Sequence, residues 1–361
     1  MENIKDCRSK INQIDKQMAE LFEQRMEICE QVAEYKKQHG LPILDKDREN
    51  AILSQAGTNI KNKEFSGYYV DFLTNVMRIS KDYQSRLING LKVVYSGVEG
   101  AFGMIAAKKA FPQAELIACN DFEHAYKGVE TGLYDIAVLP IENSFAGDVG
   151  VVMDLAFNGT LFINQMVDLD VVQNLLVKKG AKLSDVKKVV SHPQALAQCD
   201  EFIKSHNFET EDFSNTALAA KFVSEQDDLS IAAIASEETA ELYGLEVLTS
   251  SINSARNNTT RFAVFSREQY LPQPTDRTGN EHFILLFTTK NEAGALAQTL
   301  NIIGAHNFNM RNLKSRPMKE LIWSYYFFIE AEGNINTIEG KEMLQELGAV
   351  CSRLKLVGTY K

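Results

Sequence analysis

Cysteine is scarce and unpatterned. The five, Cys7, Cys29, Cys119, Cys199 and Cys351, lie far apart with no C-x-x-C spacing. Their odd number and wide separation exclude a disulfide framework and a structural zinc site. The 6 histidines show no metal-ligand spacing either, so no metal is expected. Positive charge is in deficit, 38 Lys and Arg against 48 Asp and Glu for a net charge of -10. That balance argues against a nucleic-acid or anionic-membrane surface, both of which need a basic footprint, and no such partner is expected. Any anionic ligand must therefore be met by local cations. No apolar run approaches the roughly 18 residues of a membrane span, and the opening MENIKDCRSK carries no apolar leader core. A cytoplasmic location is expected. With 361 residues and 45% hydrophobic side chains, the chain can fill two or three domain cores.

What is present begins with a long amphipathic stretch. Between Ile4 and Gln38 the residues Ile4, Cys7, Ile11, Ile14, Met18, Leu21, Phe22, Ile28, Cys29, Val32 and Tyr35 recur at three- and four-residue spacing. This predicts one long helix with a packed seam. Arg25 and Lys36 interrupt the seam. With Ile14 they fall eleven residues apart, and each such step rotates only about 20° round a helix. Cations that bury their stems and keep their heads in water are the ordinary explanation. Two on one face, followed by Asp45, Arg48 and Glu49, instead describe a constellation suited to a dianion, because ligand carboxylates would satisfy charge that is costly to bury unpaired. Arg8 precedes Arg25 by seventeen residues and so stands roughly 100° round the helix from it. The two do not easily clamp one ligand within one chain, and a second copy of the chain could supply the missing cation. A second helix starts near Asp45, its N-cap, and closes at Gly57. A third, from about Glu64 to Ile88, places Tyr69, Phe72, Val76, Ser80 and Gln84 on one face. Ser80 and Gln84 are thus polar residues one turn apart on a core-facing stripe.

The texture changes at Lys92. From KVVYSG to about residue 268 strand and helix patterns alternate, with apolar runs DIAVLPI, SIAAIAS and RFAVF, the signature of an α/β region with mainly parallel strands. Its length allows two lobes. The turn Gly97-Val-Glu-Gly100-Ala-Phe-Gly103 between strand and helix can hold an anion on backbone N–H groups, but it is not the dinucleotide fingerprint, and no cofactor is expected. Pro140-Ile-Glu142-Asn143-Ser144 follows the strand DIAVL, and Ser191-His192-Pro193-Gln194 follows KKVV, with Gln198 one turn on. Asn258, Thr259, Thr260 and Arg261 precede FAVF. Polar residues at strand ends are where α/β sheets bind ligands, so these three clusters are expected to converge on one cleft. His192 is a poor catalytic candidate, because its neighbour Ser191 cannot supply nucleophile-to-base geometry reliably. The segment SREQYLPQPTDRTGN reads as a linker. After it, EHFILLFTT, EAGALAQTLNIIGAH, NFNMRNLKSRP, ELIWSYYFFIEAEG, a helix from about Ile338 to Gly348 and SRLKLVGTY give the β-α-β-β-α-β order of a ferredoxin-like domain. Asn291, Gly294, Ala295 and Leu296 lie at its first strand-to-helix junction, where backbone amides can take a small amino acid's carboxylate.

Taken together these residues resemble the bifunctional chorismate mutase and prephenate dehydratase family, over nearly the whole chain. The resemblance implies a multidomain fold. Residues 1–90 would form an all-α chorismate mutase domain, 91–268 a two-lobed α/β dehydratase similar to type II periplasmic binding proteins, 269–280 a linker, and 281–361 an ACT regulatory domain. In the helical part it implies site residues Arg25, Lys36, Asp45, Arg48, Glu49, Ser80 and Gln84, with Arg8 from the partner chain of an entwined homodimer or a dimer of dimers. In the middle part PIENS, SHPQALAQC and TTRF carry it, implying cleft residues Glu142, Asn143, Ser191, Gln198, Thr260 and Arg261. In the last part Gly294-Ala295-Leu296 and Ser315-Arg316-Pro317 carry it, implying that Asn291, Gly294, Ala295, Leu296, Asn309, Ser315, Arg316 and Pro317 receive the effector L-phenylalanine. The substrates implied are chorismate and prephenate, the latter losing carbon dioxide and its ring hydroxyl. The sequence departs from the family's pattern at Gly103, where serine or threonine is commoner, at Gln173, where many members carry histidine, and at Lys314, which stands in place of glutamate. Arogenate as the dehydratase substrate, or a non-catalytic amino-acid sensor, are the alternatives.

Overall fold

The computed structural model describes residues 3–254, 257–275, 279–318 and 324–361, and it divides into two compact units, Met1–Lys92 and Val93–Lys361. No helix among the described residues is long and apolar enough to cross a membrane.

The first unit contains three α-helices, α1 (Ile4–His39), α2 (Lys46–Asn59) and α3 (Ser66–Asn89). Asn3 accepts from the Lys5 N–H at the start of α1, and Gly40, at φ 62°, ends it in the left-handed conformation that a residue without Cβ adopts freely. Asp45 accepts from the Arg48 N–H at 3.0 Å and caps α2 as its position predicts. The α3 stripe is as expected in its second half, with Val76, Met77, Ser80 and Gln84 buried, but Phe72 in its first half is 47% exposed. The α1 seam is not packed. Only Cys29 and Ala33 of that helix are buried, while Ile11 and Leu21 remain 54% and 64% exposed. Length explains part of this: 36 residues run about 54 Å, against about 36 Å for the 24 residues of α3. The other two helices of this unit do not cover the first.

In the second unit a ten-stranded sheet runs Asn309–Pro317, Tyr325–Glu332, His282–Thr288, Arg353–Tyr360, Phe162–Asp170, Thr259–Ser266, Ile136–Asn143, Lys92–Ser96, Glu115–Cys119, with the short strand Gly147–Asp148 on Ile136–Asn143. A five-stranded sheet carries Asn174–Val177, Lys188–Ser191, Glu209–Asp212, Ile231–Ala235 and Glu246–Thr249. The pattern is less parallel than the apolar runs suggest. Thr259–Ser266 is antiparallel to both neighbours, and Asn174–Val177 pairs antiparallel with Ile231–Ala235 and Glu246–Thr249. The reason is connectivity, since the chain leaves the first sheet after Asp170, builds the second, and returns at Thr259. The crossing is tied by Val171 N–H to Asn258 O at 2.7 Å and by Asn253, which donates to Val171 O and accepts from Gln173 N–H.

The C-terminal strands and helices follow the order β-α-β-β-α-β, with helices Ala295–Ala305 and Ile338–Val350. Of the expected strand ELIWSYYFFIEAEG, residues 320–323 lie outside the described residues, as do 276–278 of the expected linker. The rest of that linker is pinned rather than loose: Asn164 donates to Glu268 O, Asn334 to Gln273 O and Asn336 to Pro272 O. The sheet of this part continues into that of the preceding α/β part through one parallel register pair, Gly358 with Ile163. A Cβ on Gly358 would collide with the Ile163 carbonyl oxygen. We therefore expect Gly358→Ala to destabilise the second unit by about 1–3 kcal/mol, read as a lower thermal midpoint, whereas Gly348→Ala, with open space around it, should not.

At that joint the sheet doubles back. Four strand steps separate Glu330 from Arg261, about 19 Å in a flat sheet, yet their side chains are 2.9 Å apart. One core accordingly holds Leu139, Val152 and Met153 together with Leu286, Tyr326 and Phe328.

Candidate functional site

Two cavities collect the residues that the sequence singles out. The first, of about 450 Å³, is lined by Arg25, Lys36, Asp45, Arg48, Glu49, Ser80 and Gln84, with apolar walls from Ile28, Val32, Ile52 and Met77. Arg25 donates to Ser80 Oγ, which in turn donates to Val76 O at 2.8 Å. The Lys36 ammonium reaches Ile43 O at 2.6 Å, which fixes it over the cavity from the end of α1. Asp45 spends one carboxylate oxygen on the α2 cap. Sequence reasoning missed Lys81, which also lines the cavity and pairs with Glu49 at 2.9 Å. Its signal was present, since it precedes Gln84 by three residues on α3 and so shares that side of the helix. Four cations thus face two carboxylates, an excess that fits a dianion. The buried Gln84 has no hydrogen-bond partner for its carbonyl oxygen. Arg8 is exposed and does not line this cavity, being about 25 Å along α1 from Arg25.

The second cavity, of about 480 Å³, lies between the two sheets of the second unit. Asn143 and Thr260 line it from one sheet, and Gln198 and Gln173 from the other side. Asn143 and Thr260 are register partners at one edge, because Thr259–Ser266 begins where the antiparallel Ile136–Asn143 ends. The Asn143 amide donates to Thr260 Oγ1 and to Asn258 Oδ1, each at 2.8 Å, while its own carbonyl accepts from the Phe145 and Ala146 N–H groups. Thr260 therefore receives a hydrogen bond on oxygen and keeps its O–H for the cleft. Among the described residues lining the cavity there is no lysine or arginine. Backbone N–H groups stand in for them. The helices Phe102–Ala110, Phe122–Glu130 and Thr216–Glu225 begin at or beside lining residues, a common arrangement for receiving an anion.

Three expected cleft residues are elsewhere. Arg261 follows Thr260, and strand alternation turns it to the opposite face, where it pairs with Glu330 and Asp168. Glu142 is likewise outside the lining and pairs with Lys314 at 2.9 Å. Ser191 is fully buried and donates to Ile234 O at 2.6 Å. His192 does line the cavity, and its Nδ1 accepts from the Gln194 N–H, which places the proton of a neutral ring on Nε2. Gln194 lines it as its cluster predicts; Asn120, Asn215 and Thr216 line it as well and were missed, because caps and loop amides carry no periodic signal.

The departures from the family pattern have structural counterparts. A Cβ on Gly103 would press on the Ser96 carbonyl oxygen, so a hydroxyl residue does not fit here without a backbone shift. Gln173 is buried in the cleft, with an unpartnered carbonyl oxygen. Lys314 sits between Glu142 and Asp148, so its positive charge is matched.

Of the expected effector residues, Gly294 caps the helix Ala295–Ala305, placing Ala295 and Leu296 in its first turn. Asn291 and Ser315 are exposed, and Asn309 donates to Glu332 at 2.9 Å. Arg316, one residue before Pro317, is turned inward, bound to both oxygens of Asp154 at 3.1 and 3.2 Å and to the Tyr326 hydroxyl.

An all-helical, cation-lined cavity and an α/β cleft lined by amides and hydroxyls define a protein with two separate sites. Residues 7–85 match the chorismate mutase type II family and residues 93–270 the prephenate dehydratase family. The bifunctional chorismate mutase/prephenate dehydratase of Neisseria gonorrhoeae (strain ATCC 700825 / FA 1090) is 35% identical over 292 residues, 79% of this chain and 79% of that protein. A prephenate dehydratase from Arthrobacter aurescens, solved in complex with L-Phe, has a TM-score of 0.68 at 28% identity over 75% of this chain and 89% of that one. GqqA, described as a novel type of quorum quenching acylase, has a TM-score of 0.68 at 30% identity over 74% of this chain and 97% of that one. The chain belongs to the bifunctional chorismate mutase/prephenate dehydratase family.

Proposed function

We propose that the helical cavity rearranges chorismate to prephenate and that the α/β cleft converts prephenate to phenylpyruvate. For the first reaction the supporting feature is the excess of cations around a cavity with apolar walls. The rearrangement is pericyclic and needs no nucleophile, so catalysis consists of folding the substrate and stabilising charge at the breaking ether. Arg25 and Arg48 hold the two carboxylates, with Arg8 supplied by a second copy of the chain. Lys36 and the Gln84 amide donate to the ether oxygen as it gains negative charge, Glu49 accepts the substrate hydroxyl, and Ser80 holds Arg25. Asp45 acts through the α2 cap that sets Arg48 and Glu49. Gln84→Glu should leave mutase activity intact only at low pH. The introduced carboxyl donates when protonated and repels the ether when ionised, from about pH 4.3 upward and later if buried. A mutase profile as flat with pH as the parent's would remove Gln84 from this role.

For the second reaction the observation that carries the assignment is the Thr260 hydroxyl, held on its oxygen by Asn143 and left free to donate into a cleft whose described lining has no lysine or arginine. The ring carboxylate of prephenate leaves as carbon dioxide, and its electron pair moves through the ring and expels the hydroxyl. The departing group takes a proton from Thr260, becoming water, and Thr260 is reprotonated from solvent. A strong cation on the ring carboxylate would oppose its loss, so helix N-termini and amides suit this substrate better than arginine. Gln198 and Asn143 position the substrate. A hydrolytic acyl transfer finds less support, because Ser191 gives its proton to a buried carbonyl and His192 Nδ1 is spent on a cap.

The C-terminal part is proposed to be an ACT domain that binds L-phenylalanine near Asn291–Leu296 and feeds back on the dehydratase. Supplying chorismate and following its loss together with phenylpyruvate, with and without L-phenylalanine, tests all three assignments. Prephenate that forms and is then consumed supports both activities, and slower consumption with phenylalanine supports the sensor. No turnover of chorismate or of added prephenate would leave a non-catalytic sensor as the function.

A further inference from the structure

Arg261 was expected in the cleft and is instead the joint between the Thr260 strand and the C-terminal domain. Its Nη1 and Nη2 donate to the two oxygens of Glu330 at 2.9 and 3.2 Å, and its Nε donates to Asp168 at 3.2 Å. The Tyr360 hydroxyl donates to the same Glu330 carboxylate at 2.5 Å. The Glu330 side chain is only 2% exposed. Burial by itself would discharge it, but hydrogen bonds from Arg261 and Tyr360 prevail and hold its carboxyl below the ordinary range.

We infer that Glu330, with Tyr360, is a positioning residue for the dehydratase, fixing Thr260 through Arg261; the inference rests on the dehydratase assignment above. Two observations carry it. The first is location. The pairing of Thr259–Ser266 with Ile136–Asn143 slips between Arg261 and Phe262, where Ile141 is left over on Ile136–Asn143, so the irregularity lies directly beside the two residues that matter. Irregular pairing re-aims side chains, and a side-chain anchor from another strand fixes one geometry. Arg261 supplies that anchor on one face of the strand while Thr260 serves the cleft on the other. The second is economy of design. A buried ion pair seldom adds stability over apolar residues of similar size, because desolvation offsets the attraction. What a two-pronged guanidinium–carboxylate bridge does provide is a fixed direction. Here it spans the doubled-back sheet, so that a C-terminal strand sets the height at which Thr260 enters the cleft.

The test uses the full chain, with prephenate as substrate and mutase turnover as an internal control. Glu330→Gln should lower dehydratase kcat by about 100-fold, the size of effect a shift near 1 Å produces, with KM little changed and mutase activity intact. Arg261→Met combined with Glu330→Leu should regain the parent's thermal midpoint but not its kcat. A double variant that regains both, or Glu330→Gln with the parent's kcat, overturns the inference. If Glu330→Gln does not fold, Tyr360→Phe decides, since it keeps the ion pair and removes only the hydroxyl's bonds to Glu330 and Arg261. A fall in kcat without a matching fall in thermal midpoint supports positioning, and parallel falls or none overturn it. A parent enzyme that does not turn over prephenate overturns the dehydratase assignment itself, which a fast Glu330→Gln variant would leave standing.

Discussion

Thr260→Val should cost the dehydratase at least about 100-fold in kcat, at the low end of what one positioned proton donor contributes, while chorismate turnover is unchanged. The substitution keeps the side chain's shape and removes only the hydroxyl. Its effect on folding is bounded by Asn143, whose amide loses one acceptor but retains Asn258 Oδ1 at 2.8 Å, so the destabilisation should stay within about 1–3 kcal/mol. Thr260→Ser, which restores the donor at the price of a methyl group, should recover most of the rate. A loss of less than tenfold in the valine variant would assign the proton elsewhere, with the Nε2–H of His192 the next group to replace.

The second large effect concerns who supplies Arg8. Arg8→Ala and Arg25→Ala should each abolish mutase activity when made alone, and an equal mixture refolded or co-expressed together should regain about one quarter of it. The arithmetic follows from a symmetric dimer whose site takes Arg25 from one chain and Arg8 from the other. Half of the dimers are mixed, and each has one site with both arginines and one with neither. If both arginines served the same chain's site, every site in the mixture would lack one of them and nothing would return. Both variants should convert prephenate at the parent's rate. The exposed stripe along α1, including Ile11, Ile14 and Leu21, is the surface such a dimer would cover.

These two cases also mark what could be read in the residues. The cations on the α1 seam, eleven residues apart, pointed to a cavity because helical periodicity converts spacing into direction, and the structure gathers Arg25, Lys36, Arg48 and Glu49 around one. Periodicity could not say that the seam itself would lack cover, because the pattern is the same whether the covering surface comes from this chain or another. In the α/β part the clusters PIENS and TTRF marked the right strand ends. A motif nevertheless lists neighbours without their sides, and alternate residues on a strand face opposite ways. Asn143 and Thr260 therefore meet in the cleft, while Glu142 and Arg261 are committed to Lys314 and Glu330. Those partners come from a domain more than fifty residues further along, and no local pattern announces them. The same holds for Arg316, placed by its motif near an effector and held by Asp154.

The single pairing of Gly358 with Ile163 also sets a timetable for synthesis. Strand Phe162–Asp170 leaves the ribosome with both edges bare; Thr259–Ser266 later covers one, and the strand that covers the other ends at Tyr360, 190 positions after Asp170. At ordinary translation speeds the interval is roughly 10–40 s. For that time the nascent lobe exposes an unpaired edge of the kind that recruits other strands. Chaperone demand should therefore concentrate on chains stalled between these two points, and early termination there should yield aggregates rather than a shortened, active dehydratase.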